Sequence, residues 1–240
     1  MREVKSNPSP QLSDWSAQFE VLAKKARHPG LRQYYQAGVV PAQTAIDEVQ
    51  FLAMDVETTG LNPQAHSIVS IGLIPFTLQR IHCSQAQYWV LKPTSELSEK
   101  SVTFHHITHT EILNAPTFEA VLDPLLEAMA GKVMVVHYRN IERAFLGEAV
   151  LRLLKEELAF PVIDTMQLEA RIHRRKRGWF ARLMRRSQAS IRLADSRERY
   201  NLPAYHAHHA LTDALATAEL LQAQIATLHS PSTPIGALWN

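Results

Sequence analysis

From Gln50 onward, short apolar runs rich in β-branched and aromatic residues alternate with longer stretches of helical spacing. Phe51 to Val56 is a short apolar run broken only by Asp55, and Ser67 to Phe76 and His82 to Leu91 follow with the composition of strands, so three consecutive strands are predicted as an antiparallel meander. Thr117 to Ala130 places Phe118, Val121, Leu122, Leu125 and Met129 at helical intervals. Lys132 to His137 predicts a fourth strand, Ile141 to Glu157 a helix and Pro161 to Ile163 a short fifth strand. Beyond it the chain reads as helical, with Asp164 or Thr165 as a cap and a last helix from about Ala207 to Leu228. Ahead of Gln50, Ser13 or Asp14 caps a helical stretch through Phe19, Leu22 and Ala23, which His28-Pro29-Gly30 breaks. Strands first, then helix alternating with strand, predict an α/β fold with a mixed five-stranded sheet flanked by helices. Residues 1–48 read as an N-terminal helical extension, 49–229 as the main domain and 230–240 as a short tail.

Composition narrows this picture. With 240 residues, 46% of them hydrophobic, the chain can bury a full core. The first fifteen residues lack an apolar targeting stretch and no run approaches the roughly 18 apolar residues of a membrane span, so a cytoplasmic protein is expected. Cys83 is the only cysteine, which excludes a disulfide or a cysteine-based zinc site within one chain and reads as a buried free thiol. Net charge is +2, but Arg171 to Arg192 holds nine Lys/Arg and no acid, leaving −7 elsewhere. Such a segment suits a polyanion, although charge runs are commonly solvated faces.

The chemistry begins at Asp55-Val-Glu57-Thr58-Thr59-Gly60-Leu61. Residues two apart on a strand share a face, so Asp55 and Glu57 project together from an apolar, central strand. Two adjacent carboxylates there repel each other unless a cation sits between them, and oxygen-only ligands favour Mg²⁺ or Mn²⁺. Glu142 shares a helical stripe with Phe145, Leu146 and Ala149, whereas Glu148, Arg152 and Lys155 fall on the polar side, so Glu142 is expected to face inward.

These motifs resemble the DEDDh 3′→5′ exonuclease superfamily, which includes the proofreading epsilon subunit of bacterial DNA polymerase III, and the resemblance covers roughly Phe51 to Leu228. It implies a ribonuclease-H-like fold. The first acidic pair matches Asp55 and Glu57, and Thr58, Thr59, Gly60 and Leu61 then meet the terminal nucleotide. Phe104-His105-His106-Ile107-Thr108 is similar to a family segment whose first His, here His105, lines the nucleotide pocket, with His106 replacing a usual Gly. His137-Tyr138-Arg139-Asn140-Ile141-Glu142 stands where the family has His-Asn-x-x-Phe-Asp, so Glu142 replaces an Asp. The last motif, a His five residues before an Asp, matches His208 and Asp213. Five helical positions turn through about 500°, so His208 belongs in the loop or first turn and Asp213 one turn inside.

The resemblance implies two Mg²⁺ (or Mn²⁺) ions per site. Asp55, Glu57 and Asp213 are expected at the first, Asp55 and Glu142 at the second, with His208 as general base. The expected partner is a single-stranded or frayed 3′ end of DNA, with RNA as the alternative, and Arg174, Arg175, Arg177 and Trp179 are candidate contacts. Only twelve residues follow the last helix, which argues against a standard replicative subunit, and the N-terminal extension is open to a protein partner. With Glu for Asp at 142, a weakly active or inactive 3′-end-binding module stays open, as does an RNA-trimming exoribonuclease of the same superfamily.

Overall fold

A computed structural model describes residues 14–94, 109–176 and 190–239. Five strands form one sheet: β1 (Phe51–Thr58), β2 (Ile68–Phe76), β3 (Gln87–Val90), β4 (Val133–Val136) and β5 (Val162–Asp164), in the spatial order β3-β2-β1-β4-β5. The two hairpin-linked neighbours pair antiparallel, and β4 and β5 join through helices as parallel strands. β1 is central. Its Phe51 to Met54 are buried on both faces, the pattern of a strand covered by helices on each side. Phe51 stacks on Phe76 across the β1–β2 pair, ring centroids 5.2 Å apart.

The helices are α1 (Trp15–Lys25), α2 (Pro29–Gln36), α3 (His109–Leu113), α4 (Phe118–Met129), α5 (Arg139–Leu154), α6 (Thr165–Lys176), α7 (Leu193–Arg199) and α8 (Ala210–Leu228). α4 starts where the Thr117 hydroxyl accepts from Ala120 N, and its buried residues include Val121, Leu122, Leu125 and Met129, as the spacing predicts. α8 packs along β1 and β2 through Ala214, Ala218, Leu221 and Ile225. Among the described residues, no helix is long and apolar enough to cross a membrane.

Four local features add to or depart from the sequence pattern. His28-Pro29-Gly30 ends one helix and begins the next, because Pro29 takes the first helical position, where its missing N–H costs nothing. The third strand starts only at Gln87, since Cys83–Gln85 forms a 3₁₀ turn before pairing with β2 begins. Cys83 is exposed on that turn and not buried. Residues 230–239 fold back: Ile235, Leu238 and Trp239 are buried, while Ile46 N donates to Thr233 O and Ile235 N to Thr44 O.

Candidate active site

Asp55 and Glu57 leave β1 two positions apart, and Asp213 reaches them from the first turn of α8. Each of the three offers a carboxylate oxygen, and these oxygens lie within 4.8 Å of one another. What lets α8 come so close is Gly72, which sits opposite Asp55 in the β1–β2 register. A Cβ at Gly72 would lie 2.4 Å from Ala210 C, Ala210 O and Leu211 N, the backbone at the start of α8. A register shift between Glu57 and Thr58 then ends regular pairing beside the acids, a common place for such irregularity.

The electrostatics are those of crowded acids. Burial, then Glu57, Glu142 and Asp213, hold the Asp55 carboxyl well above the usual carboxylate range. Asp213 is raised by burial and Glu57, against the pull of the His208 N–H and the His208 and His209 rings. Glu142, 2% exposed in the first turn of α5, faces inward as its stripe predicts; burial pushes it up to about 8, with Asp164 adding to the rise. It is near enough to raise Asp55 yet stands outside the group of three. Its Oε2 is buried without a hydrogen-bond partner among the described residues, and such an atom carries a desolvation cost. An orphaned carboxylate oxygen beside three converging carboxylates fits a hard divalent cation better than any purely structural role.

His208 lies in the loop before α8 with φ +71°, and its N–H donates to Asp213 Oδ2 at 2.9 Å. His209, next to it, stacks on Tyr88 of β3, centroids 4.7 Å apart. After β1 the chain turns: Thr58 Oγ1 donates to Gly60 O, Thr59 N donates to Ser67 O, and Ser67 N donates to Thr59 Oγ1. Leu61 is 83% exposed at the tip of this turn. The His66 ring lies under Gly60, where an added Cβ would stand 2.5 Å from it. A cavity of about 350 Å³ lies between this turn, at Pro63 and His66, and α5, at Phe145 and Arg152.

Sequence reasoning missed three supports. Asp164 accepts from Tyr138 N and Arg139 N as well as from Met166 N and Gln167 N, so one carboxylate holds the starts of both α5 and α6. His137 places Nδ1 2.8 Å from Thr165 Oγ1 and Nε2 3.0 Å from Ile191 O, and burial lowers its pKa to about 4. The neutral ring then donates from Nε2 to Ile191 O. Gly72 and His66 are the third kind, close approaches whose only sequence signal is a glycine beside each acidic element. His105, Arg177 and Trp179, and the side chains of Arg174 and Arg175, lie outside the described residues.

The RNase_T exonuclease profile matches residues 52–221, a range that takes in nearly all of β1, all of α5, the first part of α8 and all four acids. The chain belongs to the RNase_T exonuclease family. Its resemblance to DNA polymerase III proteins holds: it is 27% identical over 180 residues to the DNA polymerase III epsilon subunit of Treponema pallidum, covering 75% of this chain and 78% of that one. It is 25% identical over 197 residues to the PolC-type DNA polymerase III of Thermotoga petrophila, covering 80% of this chain but only 13% of that polymerase. Among solved structures the fold matches cell-death related nuclease 4 (TM-score 0.63, 20% identity, 77% of this chain and 65% of that one). It also matches Exonuclease X in complex with 5′ overhanging duplex DNA (TM-score 0.58, 21% identity, 79% and 98%). The nuclease domain of 3′hExo, a DEDDh family member bound to rAMP, has the same fold (TM-score 0.58, 14% identity, 76% and 94%).

Proposed function

We propose that this chain removes nucleotides one at a time from DNA 3′ ends as 5′-mononucleotides, by metal-assisted phosphodiester hydrolysis. The observation that carries the reading is the convergence of Asp55, Glu57 and Asp213 within 4.8 Å. Asp55, Glu57 and Asp213 would hold one Mg²⁺ or Mn²⁺, and Asp55 with Glu142 a second. When bound, such ions stabilise charge on the phosphate and lower the pKa of water. His208 would accept the proton from the attacking water on a ring nitrogen, the general-base role a positioned imidazole most often takes. Asp213 has a second task, because its Oδ2 holds the His208 N–H and ties the base-bearing loop to the acids. The Thr58–Leu61 turn would present its exposed Leu61 to the terminal nucleotide.

DNA is preferred because the relatives aligned over most of this chain are DNA polymerase III proteins. Turnover with Mg²⁺ or Mn²⁺ on labelled single-stranded DNA, mismatched duplex and short RNA tests both the activity and the preference. Asp55→Ala and Asp213→Ala should each abolish turnover while leaving the circular dichroism spectrum unchanged; wild-type rates in either variant would refute the assignment. The second reading, a 3′-end-binding module, rests on Glu142 in place of Asp, and Mg²⁺-independent binding without turnover by the wild-type chain would establish it. We further propose that the basic segment feeds the strand to the site. Neutralising Arg174, Arg175 and Arg177 should then reduce the slope of log affinity against log salt by about 0.7 per lost phosphate contact on single strands.

A further inference from the structure

The loop that carries His208 runs from Tyr200 to His209, between α7 and α8. Non-glycine residues in the left-handed region stand near both of its ends, Asn201 at φ +53° and His208 at φ +71°. Such conformations persist only where surrounding contacts over-determine them. At Asn201 they are local, since its N–H donates to Glu198 O and the Leu202 N–H to Arg197 O, closing α7 in a Schellman turn; beyond it one buried guanidinium fastens the loop. Arg197, 3% exposed on α7, donates from Nη1 to Ala216 O of α8 at 2.6 Å and from Nη2 to Pro203 O of the loop at 2.9 Å. The same Nη2 lies 2.7 Å from Glu219 Oε2 on α8. Tyr205 of the loop lays its ring over the guanidinium, 4.6 Å from Cζ to centroid, and its hydroxyl donates to Glu219 Oε1 at 3.0 Å. Both oxygens of Glu219 are therefore used, and the loop is tied at 203 to Arg197 of α7 and at 205 to Glu219 of α8, just before His208.

We infer that Arg197, Glu219 and Tyr205 form a clamp that positions His208 for proton transfer, an inference that rests on the exonuclease reading above. None of the three is among the residues assigned to metal, nucleotide or proton. The clamp joins the helix bearing Asp213 to the loop bearing the base, so the loop follows α8 as one body. Without it, the loop between the α7 end and His208 is no longer tied to α8, His208 relaxes to ordinary backbone angles and its N–H leaves Asp213. Misplacing a catalytic group by about 1 Å can cost on the order of a hundredfold in rate.

The test uses Tyr205→Ala, because Tyr205 is partly exposed and its loss leaves the buried Arg197–Glu219 pair in place. With single-stranded DNA and Mn²⁺, Tyr205→Ala should lower kcat about tenfold or more, with KM and the half-saturating Mn²⁺ concentration unchanged. Combined with His208→Ala, it should lower kcat no further than His208→Ala alone, since both act through one group. Hydrogen exchange supplies a readout that needs no residual turnover: peptides covering 203–209 should exchange faster in Tyr205→Ala, while those from the 214–225 part of α8 keep wild-type protection. Additive losses in the double variant, a change in KM with kcat preserved, or unchanged exchange at 203–209 would each overturn the clamp. A wild-type chain with no turnover on any substrate would remove the exonuclease reading and the clamp with it.

Discussion

A carboxylate at position 142 is costly in the metal-free protein, because its side chain is buried and one oxygen has no partner among the described residues. Its folded pKa, about 8, lies above the ordinary value of 4.5. The native state therefore binds more protons than the unfolded chain between those two values, and metal-free stability falls as pH rises through that window. Glu142→Gln removes the penalty. In chelator, the variant should melt above wild type at pH 8.5, by on the order of a few kcal/mol, with the gap closing near pH 5. Adding Mg²⁺ should stabilise wild type more than the variant, and melting curves at the two pH values check both expectations. The inward placement of Glu142 was legible from its stripe with Phe145 and Leu146. Its separation from the group of three was not, because side-chain reach across two elements leaves no trace in local spacing.

At the scale of elements, the site depends on how closely the start of α8 can approach β2. Gly72→Ala places a methyl group 2.4 Å from the Ala210 and Leu211 backbone, which no side-chain rearrangement can relieve. The helix must shift, at a cost of about 1–3 kcal/mol, and Asp213 and His208 shift with it. Turnover should fall far more than thermal stability, and parallel measurement of kcat and melting temperature distinguishes this from simple unfolding. Asp164 works at the same scale: by capping two helices at once it sets where α5 begins, and with it the position of Glu142. A cap on α6 was readable from Asp164 following Val162-Ile163, but its second partner lies 26 residues back in sequence.

Across the whole molecule, the N-terminal helices are built into the fold. Trp15, Phe19, Leu31, Tyr34 and Tyr35 are buried, and Phe19, Tyr34 and Tyr35 form one aromatic cluster. They grip the turn between α5 and β5: Glu156 accepts from Arg27 N and His28 N, Tyr35 Oη donates to Glu157 O, and Ala159 N donates to Tyr35 Oη. Arg143, the neighbour of Glu142, lies over Trp15 and Phe160. We propose that the segment 14–48 acts as a brace for α5. Removing it deletes five large apolar side chains worth about 1.5–3 kcal/mol each when buried and uncovers the surface they pack on, so the truncated chain should unfold at much lower denaturant, as urea titration would report. Tyr35→Phe, which loses both hydrogen bonds but keeps the ring, should cost about 1 kcal/mol.

The strands, the two acids sharing a face of β1, the inward stripe of α5 and the loop position of His208 were determined by the sequence itself. Each depends on periods of 2 or 3.6 residues that act within one element. The tertiary structure alone decided which acids meet within ligand distance, that Gly72 admits α8, that Asp164 caps two helices, and that Arg197 fastens the His208 loop. Those depend on atoms brought together from distant parts of the chain, where a missing Cβ or one buried guanidinium decides the distance and no local pattern records it.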